Sequence, residues 1–80
     1  MESVFLVYKT DAWHSYASRD LIGVGNTILS AIALCIQQSK KEGKKISSEQ
    51  LWNLENLKQT QGYDWEEEFD IEEVQTNTLL

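Results

Sequence analysis

Residues whose types could support chemistry gather in one short stretch of this chain. Asp11-Ala12-Trp13-His14-Ser15-Tyr16-Ala17-Ser18-Arg19-Asp20 holds the single histidine and the single arginine, with two aromatics, two hydroxyls and two carboxylates. Nucleophilic catalysis needs a hydroxyl, a base and a group that orients the base. Ser15 or Ser18, His14, and Asp11 or Asp20 supply those types. Adjacency in a loop does not supply the geometry, and no Gly-x-Ser-x-Gly elbow accompanies the set. The expectation is therefore no catalytic residue and no enzyme. A loop on a rigid scaffold suits binding better, with Trp13, His14, Tyr16 and Arg19 as partner contacts. The plainer reading has Trp13 and Tyr16 packing a hairpin tip.

Other candidate chemistry is thinner. Asp11, His14 and Asp20 match neither zinc nor EF-hand spacing, so no metal and no cofactor is expected. Cys35 stands alone, which excludes an intramolecular disulfide and a closed structural zinc site. On the apolar face of a helix its thiol acts as a small hydrophobe. Gly23 and Gly25 fall between a strand and a helix, as in a phosphate loop. The third glycine and a following Gly-Lys-Ser/Thr are missing, and helix entry explains both residues. Lys40, Lys41, Lys44 and Lys45 lie in a helix–turn–helix connection. The second helix carries Glu49 and Glu55 against Lys58, so a solvated turn is expected in place of a DNA-reading motif.

The acidic C-terminal segment is more informative. Glu66, Glu68, Asp70 and Glu72 alternate with Trp65, Phe69 and Ile71, the period of a strand with one wet face. Successive carboxylates would stand ~6.6 Å apart. Such a ladder suits contact with a basic partner, imitation of a phosphate backbone, or protection of an edge strand. Val74 and Thr76 break the phase, and a bulge near Glu72-Glu73 would return them to the buried face.

The elements that must position these residues follow from the rest of the chain. Val4–Tyr8 is a β-branched and aromatic run, apolar on both faces like a central strand. Asp20–Val24 is a second strand, closed by Gly25-Asn26. A helix capped by Asn26 or Thr27 then buries Ile28, Ile32, Cys35, Ile36 and Ser39, with Leu29 and Ala33 widening the stripe. Gly43 stops it, after Lys40 and Lys41 in a last turn where the dipole favours cations. Ser47-x-x-Gln50 fits a capping box, and Ile46 with Leu51 fits the staple around it. The second helix is expected from Ser48 to about Thr60, with Gly62 beyond it and Leu51, Leu54, Leu57 and Trp52 facing inward. The order β-β-α-α-β predicts a single α+β domain over residues 1–80, with 76–80 frayed. Its three-stranded, mostly antiparallel sheet has the first strand in the centre and both helices on one face.

Composition sets outer limits. The chain is 41% hydrophobic and 10% aromatic, which argues against disorder. A net charge of −6 disfavours nucleic acid as a direct ligand. The apolar run Ile28–Ile36 is interrupted by Ser30 and too short for a membrane span. Nothing at Met1-Glu2-Ser3 resembles a basic signal-peptide start, so a cytoplasmic protein is expected.

The VFLVYKT strand, the tyrosine-bearing loop, LIGVG before a helix and the closing DIEEVQTNT form a recognisable pattern. It is similar to that of short uncharacterised proteins of bacteria, their phages and mobile elements, over residues 4–36 and 69–76. The resemblance implies no activity and transfers no site residue.

The leading functional expectation is a non-enzymatic protein-interaction or regulatory module. Its contacts are the Trp13–Tyr16 loop and the exposed side of the acidic strand, Glu66, Glu68, Asp70 and Glu72. Its partner is an unidentified, basic protein, or a second copy joined through an edge strand. One alternative is an acidic nucleic-acid mimic that binds a basic DNA-binding protein. Another is a small enzyme or ligand-binding domain using the 11–20 loop.

Overall fold

The computed structural model describes residues 3–64 and 66–75. Three strands, β1 (Ser3–Asp11), β2 (Asp20–Gly25) and β3 (Glu67–Gln75), accompany two helices, α1 (Ile28–Lys41) and α2 (Ser48–Leu57). The strands form one antiparallel sheet in the order β2-β1-β3. The most apolar strand takes the centre, as its two apolar faces require, and both helices pack against the sheet. The expectations for 76–80, for Thr76 and for Trp65 fall outside the described residues.

β1 and β3 pair without interruption from Ser3↔Gln75 to Asp11↔Glu67. The bulge expected near Glu72-Glu73 is therefore absent. Val74 sits opposite Val4, so the apolar residues change face at this end of the sheet and need no extra residue to do so. The irregularity lies instead between β1 and β2, where Val7 faces Gly23 and Tyr8 faces Leu21, leaving Ile22 as the additional residue. Ile22 packs against the core. Leu21 and Val24 consequently share the opposite face with Tyr8 and Leu6.

Thr27 caps α1. Its hydroxyl accepts from the Ser30 N–H at 3.0 Å, while the Ser30 hydroxyl accepts from the Thr27 N–H at 3.0 Å. A Cβ on Gly25 would lie 2.6 Å from Ser30 Oγ and 2.8 Å from the Ala31 nitrogen, so the strand end meets the helix backbone directly. At the other end, Lys44 N–H bonds to Ser39 O at 2.8 Å and Gly43 N–H to Lys40 O at 3.0 Å, with Gly43 at φ +74°. That is a Schellman ending. The buried stripe of α1 runs through Ala31, Ile32, Cys35 and Ser39. It is narrower than the sequence suggested, and Leu29 and Ala33 are exposed.

Only half of the second capping box forms. Ser47 Oγ accepts from the Gln50 N–H at 3.3 Å, but the Gln50 amide turns to Gln61, donating to its O at 2.5 Å and accepting from its N–H at 2.8 Å. α2 also stops at Leu57, short of the expected Thr60, with Lys58 at φ +61°. The reason lies in β3. Ile71 N–H donates to Lys58 O at 2.7 Å and Thr60 N–H to Phe69 O at 3.0 Å, so the outer edge of β3 draws this segment out of the helix. Leu54 is buried as expected, Leu51 half-buried, and Trp52 and Leu57 are exposed.

The core joins Val7, Phe69 and Ile71 of the sheet to Ala31, Ile32 and Cys35 of α1, Leu54 of α2 and Ile46 before it. Burial pushes the Cys35 thiol up to about 12, so it stays protonated and unreactive. Lys9 is buried on the same face, with Nζ 4.8 Å from the Phe69 ring centroid and bonded to Glu42 at 2.9 Å and Glu67 at 2.6 Å. Burial alone would lower its pKa, but the bonds to Glu67 and Glu42 outweigh that and raise it. Burial would likewise raise Glu42, yet Gln38 and Lys9 hold it below the ordinary value.

The signs set a pH window. The raised Lys9 stabilises fully below its unfolded pKa of about 10.4 and loses that as pH climbs through the folded value. The lowered Glu42 stabilises above its unfolded pKa of about 4.3 and loses that as pH falls through the folded value. Lys9→Met should therefore make both the acid and the alkaline declines of the urea midpoint shallower. The alkaline decline should persist in part, because Tyr63 and Cys35 are also shifted upward. Parallel midpoint-against-pH curves for the variant and wild type would refute this assignment.

Candidate interaction site

The sheet face opposite the helices carries Leu6, Tyr8 and Thr10 of β1. By register it also carries Glu68, Asp70 and Glu72 of β3 and Leu21 and Val24 of β2. Neither α1 nor α2 covers this side, and its polar groups find partners in two chain segments. One is the loop from Ala12 to Arg19. The other is the 58–63 segment, which wraps the outer edge of β3.

These segments overturn the expected acidic ladder. Glu68 is 4% exposed and Asp70 5%. Glu68 accepts from Thr60 Oγ1 at 2.7 Å, Gly62 N–H at 2.6 Å and Tyr63 N–H at 3.0 Å. Asp70 meets His14 Nδ1 and lies 3.5 Å from Arg19 Nη2. Glu72 is half-buried and accepts from Arg19 Nη1 at 2.6 Å. Of the four, Glu66 alone is exposed, and it precedes β3. Period-two alternation identifies which residues share a face; it does not say whether that face meets water or other chain segments.

The 11–20 loop is held by its own polar residues. The Asp11 carboxylate accepts from Trp13 N–H at 3.0 Å, Ser15 N–H at 3.1 Å and Ser15 Oγ at 2.8 Å. These donors, the Ser15 backbone first, hold its carboxyl below the ordinary range. Ser18 Oγ donates to Ser15 O at 2.8 Å and accepts from Asp11 N–H at 2.9 Å. His14 N–H closes the turn on Asp11 O at 3.1 Å, with His14 itself at φ +56°. A histidine in the left-handed region is uncommon. Here that backbone aims the imidazole at Asp70.

The imagined Ser-His-Asp set is therefore not assembled. Ser15 and Ser18 serve the turn, Asp20 is exposed, and His14 pairs with a carboxylate 56 positions away. That pairing was invisible to local reading. Nδ1 also lies 3.5 Å from the Thr10 hydroxyl, while Nε2 makes no hydrogen bond among the described residues. Arg19 fixes the other end of the loop. Its guanidinium carbon sits 4.6 Å from the Tyr8 ring centroid and 4.4 Å from that of Tyr16. Burial would lower its pKa, but Glu72 and then Asp70 outweigh that and raise it.

The four loop residues expected to contact a partner thus divide by role. His14 and Arg19 point inward as ties to β3. Trp13 and Tyr16 project, 84% and 81% exposed. Leu21 and Val24, 52% and 53% exposed, share the sheet face onto which this loop folds. Sequence reading missed this pair, because residues three apart on a regular strand point to opposite faces. The additional residue Ile22 brings them together, and the available hint was glycine at 23 and 25 inside a strand.

Comparison with family models, curated proteins and solved structures finds no match for this chain. Its chemistry must be judged on the geometry. Among the described residues no three His, Cys, Asp or Glu side chains are placed to hold a metal, and no helix is long and apolar enough to cross a membrane. What the loop does present is an aromatic pair on a braced turn.

Arg19→Lys tests that bracing. Lysine keeps the charge but loses the planar fork to Glu72 and Asp70 and the stacking between two tyrosines. It should cost about 2 kcal/mol in urea unfolding. An unchanged midpoint would mean that Arg19 braces nothing.

Proposed function

We propose that this protein is a non-enzymatic interaction module that presents Trp13 and Tyr16 as anchors for a partner protein. One observation carries the reading: two large aromatics stand in water on a turn held by the Asp11 carboxylate and the hydroxyls of Ser15 and Ser18. Exposed aromatics are typical binding hot spots, and a turn fixed before association loses little entropy on binding. Leu21 and Val24 extend the surface along β2. The resemblance to small proteins of bacteria, phages and mobile elements makes such a cell, and its cytoplasm, the proposed setting.

The alternatives have less support. An acidic mimic needs carboxylates in water, whereas Glu68 and Asp70 are buried and bonded within the chain. An enzyme using this loop needs a nucleophile beside His14, and both serines are turned to Asp11 or to each other.

Trp13→Ala should change unfolding stability by less than about 0.5 kcal/mol. Tyr16→Ala should cost about 1 kcal/mol, since the ring also stacks on Arg19. In affinity capture from the native cell, the double variant should retain the wild-type partner at least about tenfold less well. A loss near 3 kcal/mol for Trp13→Ala would show it to be core. Equal capture by both proteins would also end the proposal.

A further inference from the structure

A second surface, separate from the Trp13 loop, lies where α1 meets α2. A groove of ≈ 230 Å³ there has Ile36, Ile46 and Leu51 as its apolar lining and Lys40, Lys44 and Lys45 around it. It runs into a wider depression of ≈ 460 Å³ past Ile46, bordered by Ser47 and Ser48. The groove proper is smaller than the roughly 300–1,000 Å³ typical of pockets for whole small ligands. Its size suits one or two side chains of a larger partner.

Its charge is out of keeping with the molecule. The chain carries −6, yet Lys40 and Lys45, which border this groove, have no hydrogen-bond or ion-pair partner among the described residues. Lys41, likewise unpaired there, borders a separate depression with Ile22 and Leu34. The other cations are committed. Lys9 is bonded to Glu42 and Glu67, Arg19 to Glu72, Lys44 to Asp64, and Lys58 to the Glu55 carbonyl. Glu42, the one acid between Lys40 and Lys45, turns away to Lys9 and Gln38. The groove is left with an apolar floor and uncompensated positive charge at its border.

We propose that this groove docks an acidic amphipathic segment of a partner protein. Large apolar side chains of the segment seat on Ile36, Ile46 and Leu51, and flanking carboxylates meet Lys40 and Lys45. Each half of the arrangement selects. The apolar floor excludes a purely acidic chain, and the lysines exclude a basic or neutral amphipathic one. The short contact of Lys44 with Asp64, 2.5 Å, shows a carboxylate already held at this border within the chain.

The test uses the whole protein and a fluorescent synthetic helix bearing a leucine stripe flanked by glutamates. Three comparisons accompany it: the same composition scrambled, the same stripe with glutamine for glutamate, and vesicles containing phosphatidylserine. The striped acidic peptide should bind with affinity falling steeply as salt rises, and should shift the amide resonances of Ile36, Ile46 and Leu51. Lys40→Glu with Lys45→Glu should weaken it tenfold or more, as should scrambling or neutralising the peptide. If charge reversal disturbs the fold, Lys40→Gln with Lys45→Gln gives the same reading with a smaller loss. Equal binding of the scrambled peptide would reduce the site to diffuse attraction and overturn the proposal. So would resonance shifts elsewhere, or lysine-dependent binding to vesicles without binding to peptide. None of these results bears on the Trp13 loop.

Discussion

Glu68 and Asp70 lie buried on β3, and carboxylates can be withdrawn from water only where donors replace it. A three-stranded sheet with its helices on one face leaves the other side and the outer edges to be covered. In this protein the two carboxylates organise that cover. Glu68 gathers the hydroxyl of Thr60 and the amides of Gly62 and Tyr63, which wraps the 58–63 segment around the β3 edge. Asp70 draws in His14 and Arg19, which folds the 11–20 loop onto the face. The early end of α2, the left-handed Lys58 and the left-handed His14 are all consistent with these attachments.

The same arrangement explains the form of the candidate surface. Ties made on the inner side of the loop leave Trp13 and Tyr16 nowhere to go but outward. Tyr16 is further held by Arg19, whose guanidinium is stacked between two rings. A flexible tip bearing the same aromatics would lose more conformational freedom on binding. The anchors are exposed because the rest of their loop is occupied.

Much of the fold was legible in the residues. The apolar run of β1 marked the central strand, Ser47 marked the start of α2, and Gly43 marked the end of α1. These signals are local, and each has its physical cause within a few positions of itself. The misread features are long-range. The end of α2 was decided by pairing with β3, and the orientation of the acidic residues by His14, Arg19 and the 60–63 segment. Leu21 and Val24 were brought onto one face by a register shift that composition does not reveal. Loop exposure was the middle case: Trp13 and Tyr16 were singled out, but whether they packed or projected depended on a histidine–aspartate contact spanning 56 positions.

The central claim is that the acidic residues of β3 are internal struts. Equilibrium urea unfolding of Glu68→Gln and Asp70→Asn, singly and together, tests it most directly, because these changes keep shape and remove charge. As struts, each should cost at least about 2 kcal/mol, since amide protons would face donors that now lack a charged acceptor. A midpoint that is unchanged or raised in the double variant would contradict the account, because relief of repulsion is what carboxylates standing in water would give.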